Sequence, residues 1–433
     1  MSKDVVNLKE LAYPSKKRQL LDEVVCPHCW RTFRYYEALW IAESPSLGDD
    51  AKVANERMRF LPTFFNKDGV AVDAGGNECR FKACPHCHLR IPDPAFESRL
   101  VFFSIVGAPG SGKSYYLSSS THKLRDLMPK DFHITYTDSD SVMNRVVRDY
   151  ERLQFRSEKN KIVKIDKTDV TGGDLYNTVR MNDYDVQYPQ PFMFSAIPTD
   201  GHALKEKRAE IARTVCLYDN SGESYIPKNG DDVQNPLTRH LGQSSVIFFV
   251  FDPTQHADFQ GRIINRTSGE ALYDRNTETT QETVLQEMIT RARSYRRLGA
   301  TEKTDCPLVV IVVKYDAWKD NLDSQQFQEL ICEHSYRGSR FKALNVPCVE
   351  RVSNQTRDFL NQKSHEFVSL AESFSKEVVY IPVSATGSAP EEDPDQPGHY
   401  GFRSEAMTPI NCEIPMLYAL TRTTSLIPSK KKQ

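Results

Sequence analysis

The chain has 433 residues, long enough for two or three domains with ample core. A formal net charge of −2 leaves no global electrostatic footprint pointing to nucleic acid or to an anionic membrane. The longest apolar runs, Val246 to Phe251 and Leu308 to Val313, fall far short of the ~20 residues of a membrane helix, and the opening MSKDVVNLKE lacks a basic-then-apolar signal, so a soluble, cytoplasmic protein is expected.

After a polar, lysine-rich lead-in, the first chemistry-bearing motif is Cys26-Pro-His-Cys29, followed by Trp30. A near-copy, Cys84-Pro-His-Cys87, follows after 54 intervening residues. Ten cysteines in a chain of this length do not make a disulfide scaffold, and paired CxxC spacing favours metal in a reducing compartment. Each CxxC is a tight knuckle whose two thiolates can face one ion, and two knuckles make a tetrahedral four-cysteine zinc site of the ribbon type. Four protein ligands leave no open position for water, so this zinc is expected to be structural. The competing readings replace one cysteine by Cys79, His28, His86 or His88, or make the pairs redox-active. The interval exceeds the usual ~15–20 residues, which predicts an insertion over roughly Ser44 to Asn77. The aromatics Trp30, Phe33, Tyr35, Tyr36 and Trp40 are expected to form the small core of this module, because no basic stripe accompanies them. Ile91-Pro-Asp-Pro94 reads as a stiff linker, its prolines disfavouring helix.

The apolar run Leu100 to Val106 then leads into Gly107-Ala-Pro-Gly110-Ser111-Gly112-Lys113-Ser114. A strand running into GxxxxGKS, with a helix opening at Tyr115, is the pattern of a phosphate-binding loop. Its glycines let the backbone fold closely around anionic oxygens, so that successive N–H groups and the helix N-terminus face the phosphates. The candidate nucleotide contacts here are Gly107, Gly110, Ser111, Gly112, Lys113, Ser114 and Tyr115. Lys113 is expected to reach the β- and γ-phosphates, and Ser114 to bind Mg2+.

Further apolar, strand-like runs each end in a polar signature. Arg213 to Tyr218 ends in Asp219-Asn-Ser-Gly222, and Val246 to Phe251 in Asp252-Pro253. Pro307 to Val313 ends in Lys314-Tyr-Asp316, and Val378 to Val383 in Ser384-Ala385-Thr386. Charged or amphipathic helical stretches separate these runs, which predicts an α/β domain with a largely parallel sheet. Ligands of such sheets sit at the carboxyl ends of the strands, where all these signatures fall.

With GxxxxGKS, DxxG, KxD and an SA dipeptide in this order, the chain resembles the translation-factor and Ras-like (TRAFAC) class of P-loop GTPases over roughly Leu100 to Thr424. The resemblance implies a Ras-like P-loop GTPase domain, assigned to 98–425, after the zinc ribbon with its insertion and linker at 1–97; residues 426–433 read as a flexible tail. It implies that Asp219 holds Mg2+ and that the Gly222 N–H senses the γ-phosphate. It further implies that Asp316 accepts from guanine N1 and N2, that the Lys314 stem lies against the base, and that the Ala385 N–H, beside Ser384, meets the guanine carbonyl. The architecture and the Asp252-Pro253 strand end are also similar to the zinc-ribbon-bearing "double-GTPase" proteins of predicted bacterial conflict systems, which are thought to act with dedicated partner proteins.

The chain departs from that pattern in places. Val313 stands where the asparagine of NKxD would be, which removes a polar contact tying the base loop to the phosphate loop. Glu223 stands where many relatives carry a water-orienting glutamine. A span of 112 positions separates Gly107 from Asp219; it holds an expected helix over Ser141 to Phe155 and an extended Pro191 to Pro198. The switch threonine should lie inside it, with Thr168, Thr171, Thr178 and Thr199 as candidates. Helices are expected over Gln281 to Leu298 and Val349 to Phe374, and a closing one at Met416 to Leu420. Arg291, Arg293, Arg296 and Arg297 read as a solvated helix end suited to the dipole, with a basic docking face or an arginine finger as the alternatives.

The expected function is a GTP-binding protein that hydrolyses GTP to GDP and phosphate as a molecular switch. Lys113, Ser114, Asp219, Gly222 and Glu223 are its catalytic candidates; GTP/GDP, Mg2+ and Zn2+ are its ligands, and a protein partner completes or reads the site. The alternatives are a nucleotide-bound scaffold that does not hydrolyse, and an ATPase with relaxed base choice.

Overall fold

The computed structural model describes residues 20–165, 175–220, 222–225, 236–256, 259, 280–322, 329–336 and 339–430. Its centre is a seven-stranded sheet. The strands are β1 (Arg99–Gly107), β2 (Ile134–Asp138), β3 (Phe192–Pro198), β4 (Arg213–Asp219), β5 (Val246–Phe251), β6 (Leu308–Val312) and β7 (Val378–Pro382). Their spatial order is β7-β6-β5-β1-β4-β3-β2. Neighbours from β7 through β4 pair in parallel, whereas β3 runs antiparallel to both β4 and β2. The fold is therefore mixed α/β, and the reversed β3 lies in the stretch read from sequence only as extended.

The principal helices are α1 (Lys113–Asp131), α2 (Arg145–Phe155), α3 (Gln281–Arg296), α4 (Val346–Asn361), α5 (His365–Phe374) and α6 (Ile414–Thr423). The single helix expected over Val349 to Phe374 is in fact two, α4 and α5. The break falls after Asn361, and Phe359 and Leu360 of α4 and Phe367, Val368 and Phe374 of α5 all enter the same apolar cluster. Between the two helices the Ser364 N–H turns back to Leu360 O, and its hydroxyl donates to Glu282 of α3.

Strands β5 and β6 are buried along their whole length, as strands covered on both faces must be. On one face Val101, Phe103 and Ile105 of β1 and Val215 and Leu217 of β4 pack with residues of α1, α4 and α6. On the other, β5 and β6 are covered by α3 and α5. The alternate residues of β1 and β4, namely Leu100, Phe102, Cys216 and Tyr218, fall in a separate cluster from the one that α3 and α5 cover. They pack against the cysteine-bearing N-terminal module, sharing a cluster with Val24, Phe33 and Phe96. Side chains alternate across a strand with a period of two. The module therefore occupies the position of a covering layer.

Two sequence expectations are corrected here. The stiff linker is not simply extended: Pro94 opens a short helix, Pro94–Glu97, whose Ala95 and Phe96 are buried. Proline is tolerated at a first helical position because that N–H is unsatisfied anyway. The tail at 426–433 is not flexible from its start, since Leu426 and Ile427 are buried and Ser429–Lys430 pairs in parallel with Leu344 and Asn345. Two apolar side chains anchor it; its last three residues lie outside the described residues. Among the described residues, no helix is long and apolar enough to cross a membrane.

Candidate functional site

The cysteine module is built from two similar turns. Cys26 to Cys29 follows strand Glu23–Val25, and Cys84 to Cys87 follows strand Lys82–Ala83. In each, the first cysteine's N–H donates five residues on, to Arg31 O or Leu89 O, and its carbonyl accepts from the residue after the second cysteine. Those residues, Trp30 and His88, both take left-handed backbone angles, φ 57° and 62°. The Cys26 sulfur also accepts from the His28 N–H, and the Cys84 sulfur from the His86 N–H, each at 3.3 Å.

Together the turns place Cys26, Cys29, Cys84 and Cys87 in one buried group with all four sulfurs within 4.8 Å of one another. Cys26 to Cys87 and Cys29 to Cys84 are each 3.7 Å. A tetrahedral zinc site with Zn–S near 2.3 Å has S···S edges of about 3.8 Å, so the donor set fits a metal such as zinc. Burial, with the neighbouring thiols adding to it, pushes the Cys26 thiol well above its ordinary range, so ionising the whole group calls for a cation. Cys79 stands elsewhere, beside Trp40 and Ala71, with its thiol on Asn77 O. His28 is on Arg90 O, His88 on the Asp50 carboxylate and His86 edge-on to Phe33, so among the described residues the assembled set is the four cysteines. The expected insertion supports the second knuckle: Lys52 Nζ donates to His86 O and Arg59 Nε to His88 O.

The glycine-rich loop joins β1 to α1 beside the point where the strand order departs in both directions from β1. Such a switch point forms a crevice at the carboxyl ends of the strands. A side chain at Gly107 would lie 2.9 Å from Val250 O, so β5 leaves no space for one. Gly112, at the N-cap of α1, has φ 87°, which residues with a Cβ rarely adopt. Gly110 is the exposed tip, close to Gln255. The Ser111 hydroxyl is buried without a hydrogen-bond partner among the described residues. Lys113 is half-buried and donates from Nζ to Gly107 O at 3.0 Å. Ser114 is the second residue of α1. Tyr115 is committed elsewhere: its hydroxyl accepts from the Ile165 N–H and its ring packs on Phe402.

Strand register brings the other signatures to the same edge. Asp219 pairs opposite Ile105 of β1, and Val250 of β5 opposite Gly107. Asp219 is buried, with Oδ1 lacking a hydrogen-bond partner among the described residues. Burial raises its carboxyl to about 6 against the opposing pull of Lys113, while burial lowers Lys113. Gly222 and Glu223 lie in the turn Gly222–Tyr225; their side-chain surroundings are outside the described residues. Asp316 accepts from the Ser384 hydroxyl at 2.5 Å, and that hydroxyl accepts from the Gly387 N–H. Lys314 pairs with the buried Asp252 carboxylate at 2.9 Å and donates to the Thr254 hydroxyl. The Ala385 carbonyl accepts from Ser119 of α1 and Gln154 of α2.

Several of these groupings escape the sequence reading. Asp252 is legible as a strand-end acid, but its pairing with Lys314 needs the parallel register of β5 and β6. Ser119 and Gln154 carry no motif signal. The α3 arginines are a correction: they do not form a solvated end. Arg291 is fully buried, pairs with Glu287 and donates to Ser224 O, while Arg293 reaches Ser373 O and Arg296 reaches Leu241 O and Ser244 O. Only Arg297 of the set is exposed. Helix α3 packs against the turn after Asp219 through Arg291, while Arg293 and Arg296 end on carbonyls of other segments.

Of the threonine candidates, Thr168 and Thr171 lie outside the described residues. Thr178 is exposed on the hairpin Tyr176–Met181/Tyr184–Pro189. Thr199 follows β3, whose reversed direction carries it to the edge opposite the glycine-rich loop, where it donates to His133 O. Neither is placed at the loop. A scan against protein-family models finds none that matches this chain, and a search of curated proteins gives no match.

Proposed function

We propose that the chain is a GTP-binding switch that hydrolyses GTP, with a P-loop at Gly107–Ser114 and a structural zinc ribbon formed by the two cysteine knuckles. The observation carrying this reading is convergence. Lys113, Asp219, Lys314–Asp316 and Ser384–Ala385 follow separate parallel strands at the one carboxyl edge of the sheet where α1 begins. The loop amides and Lys113 hold the phosphates, and Asp316 with Ala385 reads the base. The buried Asp219 oxygen, without a partner among the described residues, and the Ser114 hydroxyl are the groups that would hold magnesium, which neutralises phosphate charge when bound. Arg291 is turned onto Ser224 O and away from a role as a charge-neutralising finger, so a partner protein completes the site in this reading.

The test is phosphate release from GTP and from ATP by the purified chain with Mg2+, beside a Lys113→Ala control. Release from GTP alone, lost in the control, supports a self-sufficient GTPase. Tight GTP binding without release supports the scaffold reading, for which Glu223 and Val313 are the motivating residues. Equal release from both nucleotides supports the ATPase reading, motivated by the buried Val313 at the asparagine position.

A further inference from the structure

The side chain of Val313 belongs to the apolar cluster between the sheet and α1, so it offers the base-reading loops no polar contact. A different contact holds them. The Ala385 carbonyl receives two donors: the Ser119 hydroxyl at 2.7 Å and Gln154 Nε2 at 3.0 Å. Gln154 Nε2 also donates to the Ser119 hydroxyl at 2.8 Å, closing a triangle. Both side chains are fully buried. The carbonyl fixes the amide orientation, because a flipped Gln154 would set its own oxygen against Ala385 O. Meanwhile the Ser384 N–H donates to Ile410 O and the Ser384 hydroxyl to Asp316. Residues 384 and 385 are thus held from three directions, and one of them is the helix that begins at the phosphate loop.

We propose that Ser119 and Gln154 are positioning residues for base discrimination, clamping the Ala385 peptide to α1 in place of an asparagine at position 313. This rests on the reading of the crevice as a guanine-nucleotide site. The geometry explains how a chain without that asparagine keeps its base loop in register with its phosphate loop. It also accounts for helix α2, which lies within the long span between Gly107 and Asp219 and carries Gln154 under the loop.

The test is equilibrium binding of GDP and of ADP to the full chain with Mg2+, for the wild type, Ser119→Ala, Ser119→Thr and Gln154→Met. Removing buried hydrogen bonds of this kind changes an equilibrium by about tenfold. The expected result is that Ser119→Ala and Gln154→Met lose about that factor in GDP affinity with ADP affinity unchanged, while Ser119→Thr, which keeps the hydroxyl, retains the wild-type ratio. Thermal melting without nucleotide checks that each variant is folded, and Gln154→Met keeps the side-chain volume if Ser119→Ala does not fold. Folded variants with the wild-type GDP/ADP ratio would overturn the clamp and leave the guanine reading standing. A wild type without guanine preference would overturn both.

Discussion

Asp219 and His240 are buried titratable groups whose effects on stability run in opposite directions. Burial raises Asp219 from 3.8 to about 6. Its contribution to folding is whole below about pH 4, where it is protonated folded and unfolded, and is lost as pH rises through about 6. Burial lowers His240 from 6.5 to about 3, so its contribution is whole above about 6.5 and is lost as pH falls toward 3. Between these limits the two slopes oppose one another, and single substitutions separate them. In urea unfolding across a pH series without nucleotide, Asp219→Asn should remove a loss of stability on the order of 3 kcal/mol between pH 4 and 6.5. His240→Gln should remove the opposite trend. A slope unchanged by Asp219→Asn would mean that the carboxylate is solvated. At this scale the sequence was most legible where chemistry is tied to spacing, as in the paired CxxC motifs. It was least legible at Ser119 and Gln154, whose roles exist only once α1 and α2 lie against the Ala385 loop.

At the scale of elements, β4 carries neighbouring residues with different roles. Tyr218 faces the cysteine module, accepting from Trp30 Nε1 at 3.0 Å and donating to Pro27 O at 2.6 Å, while its ring stacks on His240. Asp219, one peptide later, is at the glycine-rich loop. Tyr218→Phe leaves an indole N–H and a buried carbonyl without that partner and should cost about 1–3 kcal/mol in denaturant unfolding with metal content unchanged. A cost below about 0.5 kcal/mol would show that the contact adds nothing to folding. Helix α3 holds the turn after Asp219 through Arg291. A lysine there cannot both pair with Glu287 and reach Ser224 O, so Arg291→Lys should speed chymotryptic cleavage at Tyr225, which is buried in the wild type. Unchanged cleavage would place the restraint elsewhere. Helix periodicity exposed α3 in the sequence, but not that a buried arginine on it would find carbonyls across the core.

For the whole molecule, the cysteine module is a layer over β1 and β4 and not an appendage on a linker. Cys84→Ser should therefore lower metal from about one ion per chain to none by elemental analysis and also reduce the melting temperature of the entire chain, by about 5–10 °C. Loss of metal with an unchanged melting temperature would return the module to the status of an independent unit. The α/β character was legible because β1, β5 and β6 are apolar runs of strand length ending in polar signatures. The reversal of β3 and the use of the module as a layer were not. Both depend on which strand lies beside which, and Leu100, Phe102, Cys216 and Tyr218 look like ordinary core residues until their neighbours are known.

That layer has a consequence for the order of events during synthesis. Both knuckles are complete at Cys87, before any residue of the sheet has been made, whereas Tyr218 arrives 131 residues later. At cellular elongation rates the interval is on the order of ten seconds. A metal captured in that time gives the emerging strands a finished surface to settle on. In a metal-starved cell the same strands emerge with Phe102 and Tyr218 uncovered, and newly made chain should accumulate in the insoluble fraction, whereas removing metal from protein already folded should leave much of it in solution.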